Sequence, residues 1–205
     1  MKNIAVIGTG VIGTGWILRF LANDIKVKAF DKNSQQINFL KEEIIRTKLI
    51  IKKLYNTKIN IKNLQILDNI KEAVKNADLI QENVPERLTL KKDVIKNISK
   101  YSPSNSIIAS SSSGLLPSDL QLKCINPKRL IIAHPFNPVY ILPLVEIVKG
   151  KKTTNLYLNK AKKFYQKIKM KTLLVEKELP GFLSDRLQEA LWREGLHIVN
   201  DGFAS

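Results

Sequence analysis

The chain has 205 residues, 44% of them hydrophobic and 25% charged, which is the balance of a globular protein with one substantial core and room for the start of a second domain. Its net charge of +16 comes mainly from lysines scattered in places such as Lys52-Lys53, Lys91-Lys92 and Lys162-Lys163, so it reads as solvated helix faces and no nucleic-acid partner is expected. A single cysteine, Cys124, excludes an intrachain disulfide and fits a reducing cytoplasm, and no run of about 20 apolar residues offers a membrane span.

Residues 4–7 are an apolar run that predicts a buried strand, and Gly8-Thr9-Gly10-Val11-Ile12-Gly13 follows at once. Glycines at this spacing make a tight turn, let backbone approach a pyrophosphate and allow close helix–strand packing. The next helix, predicted over residues 11–22, opens with Val11, Ile12 and Gly13 and aims free N–H groups and a positive dipole end at phosphate. A second strand over 26–30 ends at Asp31, eighteen residues past Gly13. Asp31 is placed to accept hydrogen bonds from an adenosine ribose, and its charge repels a 2′-phosphate, so the expected cofactor is NAD. The apolar start also has a secretory-leader reading. Interrupting glycines, Arg19 and the lack of a cleavage site speak against it.

Strands and helices then alternate, which predicts an α/β fold: a Rossmann-like, doubly wound, mostly parallel sheet. A long helix is predicted over 34–54, with Ile37, Leu40, Ile44, Ile45 and Leu49 on its apolar face, and a loop over 55–63. Strands are expected at 64–67, 78–83, 106–110, 129–134, 143–148 and 172–175, with helices at 69–76, 86–98 and 155–169. Beyond Pro180-Gly181 the character changes. Residues 182–199 read as one amphipathic helix whose apolar stripe needs a cover, either a following helical domain or a second subunit. The expected division is a cofactor domain over 1–179 and, over 180–205, the first helix of a truncated, all-helical C-terminal domain.

Three residues carry the chemistry. His134 ends a predicted strand, Glu146 follows twelve residues later, and Ser113 lies in a serine-rich turn after another strand. In a parallel sheet ligands collect beyond the carboxyl ends of the strands. Oxidising an alcohol requires a base for the hydroxyl proton, which suits imidazole; a carboxylate on the other ring nitrogen fixes its tautomer, and a serine hydroxyl can hold the substrate oxygen. Each also has a plain reading: a satisfied strand histidine, an outward-facing glutamate, a flexible turn. His197, on the last helix, reads as structural. No metal is expected.

Taken together, the stretches 8–16, QENVPER (81–87), SSSSGLLPSDLQ (110–121), HPFNPVYILPLVEIV (134–148) and PGFLSDRLQEALWREGLHIVNDG (180–202) resemble the 3-hydroxyacyl-CoA dehydrogenase superfamily over essentially the whole chain. LLPSDLQ and DRLQEALWRE tilt the resemblance to its carnitine-dehydrogenase branch. The resemblance implies NAD-linked oxidation of a 3-hydroxyl, with His134 as base, Glu146 as its partner and Ser113 on the substrate hydroxyl. It implies Glu86 and Lys91 near the nicotinamide half, and Asn137 and Asp185 toward the substrate. Acyl-CoA members carry asparagine where Asp185 stands, and a carboxylate cannot donate to a keto oxygen. Asp185 with Phe136, Tyr140 or Trp192 would instead suit a trimethylammonium group. The implied partner is a small 3-hydroxy carboxylate, and the full-length form is expected to be a homodimer. The other readings are a 3-hydroxyacyl-CoA or 3-hydroxybutyryl-CoA dehydrogenase and a non-catalytic NAD-binding module.

Overall fold

The computed structural model describes residues 1–205. Eight strands form one sheet in the order β3-β2-β1-β4-β5-β6-β7-β8, where β1 is Asn3–Ile7, β2 Lys26–Phe30, β3 Leu64–Ile66, β4 Leu79–Glu82, β5 Ile107–Ser110, β6 Leu130–Pro135, β7 Leu144–Lys149 and β8 Lys171–Val175. Every pairing is parallel except β6 with β7. The central strands are apolar along their length because both faces are covered. Ile4 and Val6 enter one core, Ala5 and Ile7 the other.

The first core packs under α1 (Val11–Ala22), α2 (Ser34–Tyr55) and α6 (Asn155–Lys167), with Trp16, Phe20, Leu40, Phe164 and Tyr165 buried. The second lies under α3 (Ile70–Val74), α4 (Leu88–Tyr101) and the short α5 (Pro117–Leu120), with Val74, Ile95, Ile98 and Leu120. Helix α5 has no counterpart in the sequence-based expectation, although Pro117 in its first turn is a favourable start. Helix α2 buries Leu40, Ile44, Thr47 and Ile51, whereas Ile45 and Leu49, expected on the same face, are 74% and 77% exposed. The buried four repeat at three- and four-residue steps along one narrow seam, and Ile45 and Leu49 lie a fifth-turn or more outside it.

Between β1 and β4 the strand order reverses, which opens a crevice beyond their carboxyl ends. The antiparallel β6–β7 pair needs only the connection 136–143, and that loop is fastened to α1. A Cβ on Gly15 would lie 2.9 Å from Val139 Cβ, so only glycine permits this approach. Arg19, 2% exposed, donates from its guanidinium to the carbonyls of Val139 (2.7 Å), Ile168 (3.3 Å) and Leu142 (3.4 Å). The final helix α7 (Ser184–Asn200) has no buried residue and presents Leu187, Leu191 and Trp192 to solvent.

Candidate active site

At the turn after β1, Gly8 has φ +89°, and a Cβ there would sit 2.8 Å from the Asn83 carbonyl; a Cβ on Gly13 would lie 1.9 Å from Gly8 O. Those two glycines are demanded by packing. Gly10 is different. A Cβ on it would meet only Gln36 Oε1, at 3.5 Å, so protein contacts do not require glycine there. Space at that position, with the first amides of α1 lacking a side-chain cap, makes a cradle for a diphosphate. Asp31 is held by the turn itself: Oδ2 accepts from Thr9 N (2.7 Å) and Oδ1 from Asn33 N (2.9 Å). The residues therefore fit an extended dinucleotide. A cleft of about 710 Å³ runs from Asp31 past Gly8, Gly10, Val11 and Ile12 to Ser113 and His134.

At its far end stands the pair expected from the sequence. The β6–β7 register sets His134 directly opposite Glu146, and His134 Nδ1 lies 2.8 Å from Glu146 Oε2. Glu146 is fully buried and His134 is 7% exposed. The other carboxylate oxygen accepts from Leu183 N (3.0 Å) and Ser184 N (2.9 Å), at the start of α7. Burial pushes the Glu146 carboxyl up, but hydrogen bonds from His134 and Ser184 prevail and hold it below its ordinary value. Phe182, buried and with φ +47°, packs its ring 5.9 Å from the imidazole; Phe136 packs at 5.2 Å. A bulky residue in the left-handed region is strained, and here it delivers two amides to Glu146.

The serine turn after β5 is organised by Glu86. Its Oε1 accepts from the Ser112 hydroxyl and from the amides of Ser113 (3.2 Å), Gly114 (3.2 Å) and Leu115 (3.3 Å). Burial raises the Glu86 carboxyl, yet the Ser112 bond and the Lys91 charge bring it below its usual range. Ser113 lines the cleft, and its hydroxyl makes no hydrogen bond within the chain. Lys91 is buried rather than free: its ammonium lies 2.8 Å and 3.1 Å from the two oxygens of Glu82 and 3.5 Å from Glu86. Glu82 is a residue that sequence reasoning passed over as part of a strand. The signal was the polar run Gln81-Glu82-Asn83 closing an otherwise apolar strand at the switch point. Ser111 was missed too; it accepts from Trp16 Nε1 (3.0 Å) and Gln81 Nε2 (2.9 Å) and donates to Asn83 Oδ1 (2.8 Å).

Other expected residues stand farther off. Gly13 serves packing and does not line the cleft, and exposed Asn137, on the β6–β7 loop, does not line it either. Asp185, on the first turn of α7, is half-buried; burial raises its carboxyl, His134 lowers it, and Glu146 and Glu86 raise it, which sets it in the field of the dyad. Tyr140 packs against the first core and its carbonyl accepts from Tyr55 OH (2.8 Å), while Trp192 is 67% exposed. His197 is exposed on α7. No helix is long and apolar enough to cross a membrane.

Comparison with known proteins identifies the family and the fold. Residues 3–179 match the family model described as 3-hydroxyacyl-CoA dehydrogenase, NAD binding domain. A protein named L-carnitine dehydrogenase from Oceanobacillus iheyensis is 50% identical over 212 residues, covering 100% of this chain and 67% of the relative. One of the same name from Bacillus cereus is 46% identical over 206 residues, covering 100% and 63%. The chain thus spans about two thirds of the length of these relatives. Among solved structures, 5-formyl-3-hydroxy-2-methylpyridine 4-carboxylic acid 5-dehydrogenase, an NAD+-dependent dismutase, superposes with a TM-score of 0.93 at 29% identity, covering 100% of this chain and 67% of that one. A diketoreductase gives 0.92 at 26% identity, covering 100% and 75%.

Proposed function

The chain belongs to the 3-hydroxyacyl-CoA dehydrogenase family through its NAD-binding domain, and from that premise we propose that it oxidises the 3-hydroxyl of L-carnitine to 3-dehydrocarnitine with NAD. One observation carries the dehydrogenase reading: His134, propped by Glu146, lines the same cleft as the glycine turn and Asp31. The choice of carnitine is supported by 50% identity to a relative of that name.

An ionised carboxylate only accepts hydrogen bonds, so Nδ1 of a neutral His134 must carry the proton it shares with Glu146, and Nε2 is left as the base. The substrate hydroxyl, held by the Ser113 hydroxyl, gives its proton to Nε2. Bound NAD supplies the ring carbon that takes up the hydride from the carbinol carbon. Glu146 stabilises the imidazolium as it forms, and the amides of Leu183 and Ser184 keep that carboxylate oriented. Gly8, Gly10, Val11, Ile12 and Gly13 shape the diphosphate turn, Asp31 takes the adenosine ribose, and Glu86 and Lys91 flank the nicotinamide half. Asp185 offers negative charge to the trimethylammonium group, with Phe136 as the nearby aromatic face and Asn137, outside the cleft, next along the loop. The same reading makes residues 180–205 the opening of a helical substrate and dimerisation domain. Its exposed α7 stripe supports a homodimeric long form, and the lone cysteine a cytoplasmic one.

The test is to supply NAD with L-carnitine, or with 3-hydroxybutyryl-CoA, and follow absorbance of reduced nicotinamide. Reduction with carnitine is expected. Reduction with the CoA ester alone would assign the acyl-CoA activity that the family's description names. Silence with both, alongside NADH binding, would leave a non-catalytic binding module.

A further inference from the structure

Glu82 closes β4 behind Lys91 and Asn83, which line the cleft, and is fully buried, an arrangement that needs an explanation because an unpaired buried carboxylate is costly. It accepts four hydrogen bonds from three groups. Val84 N binds Oε1 at 2.7 Å, the Ser110 hydroxyl binds Oε2 at 2.5 Å, and Lys91 Nζ reaches both oxygens at 2.8 Å and 3.1 Å. Ser110 stands beside it on β5, in register, so two neighbouring central strands contribute to the same cluster.

An ammonium has three N–H donors. Two are committed to Glu82. Lys91, 1% exposed, lines the cleft, and the only other anion near it is Glu86 Oε2, 3.5 Å away as an ion pair without a hydrogen bond. The third N–H therefore remains for a ligand in the cleft. Glu86 in turn gathers the serine turn that carries Ser113. Charge alternates along the line Glu82, Lys91, Glu86, and the line ends at a residue assigned to the substrate.

We propose that Glu82 is a positioning residue that acts through Lys91. It fixes the lysine so that one N–H faces the nicotinamide half of the bound dinucleotide, and it keeps Lys91 from drawing Glu86 off the serine turn. This deepens the dehydrogenase reading and rests on it for the identity of the ligand. With glutamine at position 82 the shape stays, but the negative charge facing Lys91 is gone, and the ammonium is drawn to Glu86.

Calorimetric titration with NADH and no substrate tests the idea on four proteins: unaltered, Glu82→Gln, Lys91→Met and the double variant. The expected result is an NADH Kd raised about tenfold, on the scale of one charged hydrogen bond, in Glu82→Gln, by a similar factor in Lys91→Met, and no further in the double variant. Glu82→Asp, which keeps the charge but falls short by a methylene, should lie between. A lowered melting temperature with an unchanged Kd for Glu82→Gln would make Glu82 a fold-holding residue only and overturn the proposal, as would effects that add in the double variant. Where a single variant does not fold, the double one, with both charges removed, decides: an unaltered Kd there also overturns it. Failure of the unaltered protein to bind NADH would sink the dehydrogenase reading itself, a result distinct from the others.

Discussion

Glu146 holds two commitments at once, one oxygen on His134 and the other on the amides that open α7. Burial alone would raise its carboxyl; the hydrogen bonds outweigh that and leave it lowered. A carboxylate whose folded value lies below its unfolded value adds stability above the unfolded value, and that stability is lost as pH falls through the folded one. The protein is thus expected to lose melting temperature on acidification through the carboxylate range. Glu146→Gln should be destabilised at neutral pH by about 1–3 kcal/mol and lose less on acidification, because the titrating group is gone. Its kcat should fall by about 100-fold or more with the NADH Kd unchanged, since the imidazole loses its orienting anion. Thermal melts across pH and steady-state kinetics check both; a Glu146→Gln melting curve with the unaltered pH dependence would show that this carboxylate does not set it.

In the turn from β1 into α1, Gly8 and Gly13 are demanded by packing, whereas Gly10 is not, which leaves it for the proposed contact with the dinucleotide. In Gly13→Ala the new methyl meets Gly8 O at 1.9 Å, so turn and helix must part; a loss of about 2–4 kcal/mol is expected, with NADH binding abolished. Gly10→Ala, whose methyl meets only Gln36 at 3.5 Å, should melt close to the unaltered protein yet bind NADH at least tenfold more weakly. Equal melting losses would contradict this division. Elements such as β1, α1, β2 and β6 were legible because their apolar period and turn chemistry are local. So was His134 with Glu146, because a short connection between adjacent strands sets them opposite each other. The Glu82–Lys91 pair was not legible: its partners lie nine residues apart on a strand and a helix, and only the tertiary fold brings them together. The left-handed Phe182 was hidden as well, since its conformation is imposed by packing against His134 and is not preferred by the residue. The exposed Ile45 and Leu49 show that helical spacing reports a helix more reliably than it reports which seam is covered.

Across the whole molecule, charge and topology point the same way. A chain of net charge +16 draws an anionic dinucleotide toward it, while Glu86 lines the far end of the cleft and Asp185 lies in the field of the His134–Glu146 dyad, negative charge that the proposed cationic substrate would meet. Helix α7 touches the site through its first turn and otherwise stands clear, so its seating bears on the base without covering the cofactor end. The account depends on a single cleft in which the propped imidazole and the dinucleotide turn face the same space. The direct measurement is His134→Ala, titrated with NADH and assayed for NAD reduction with L-carnitine. The account predicts NADH affinity unchanged and turnover reduced about 100-fold or more; turnover within a few-fold of the unaltered protein, or loss of NADH binding together with turnover, would contradict it.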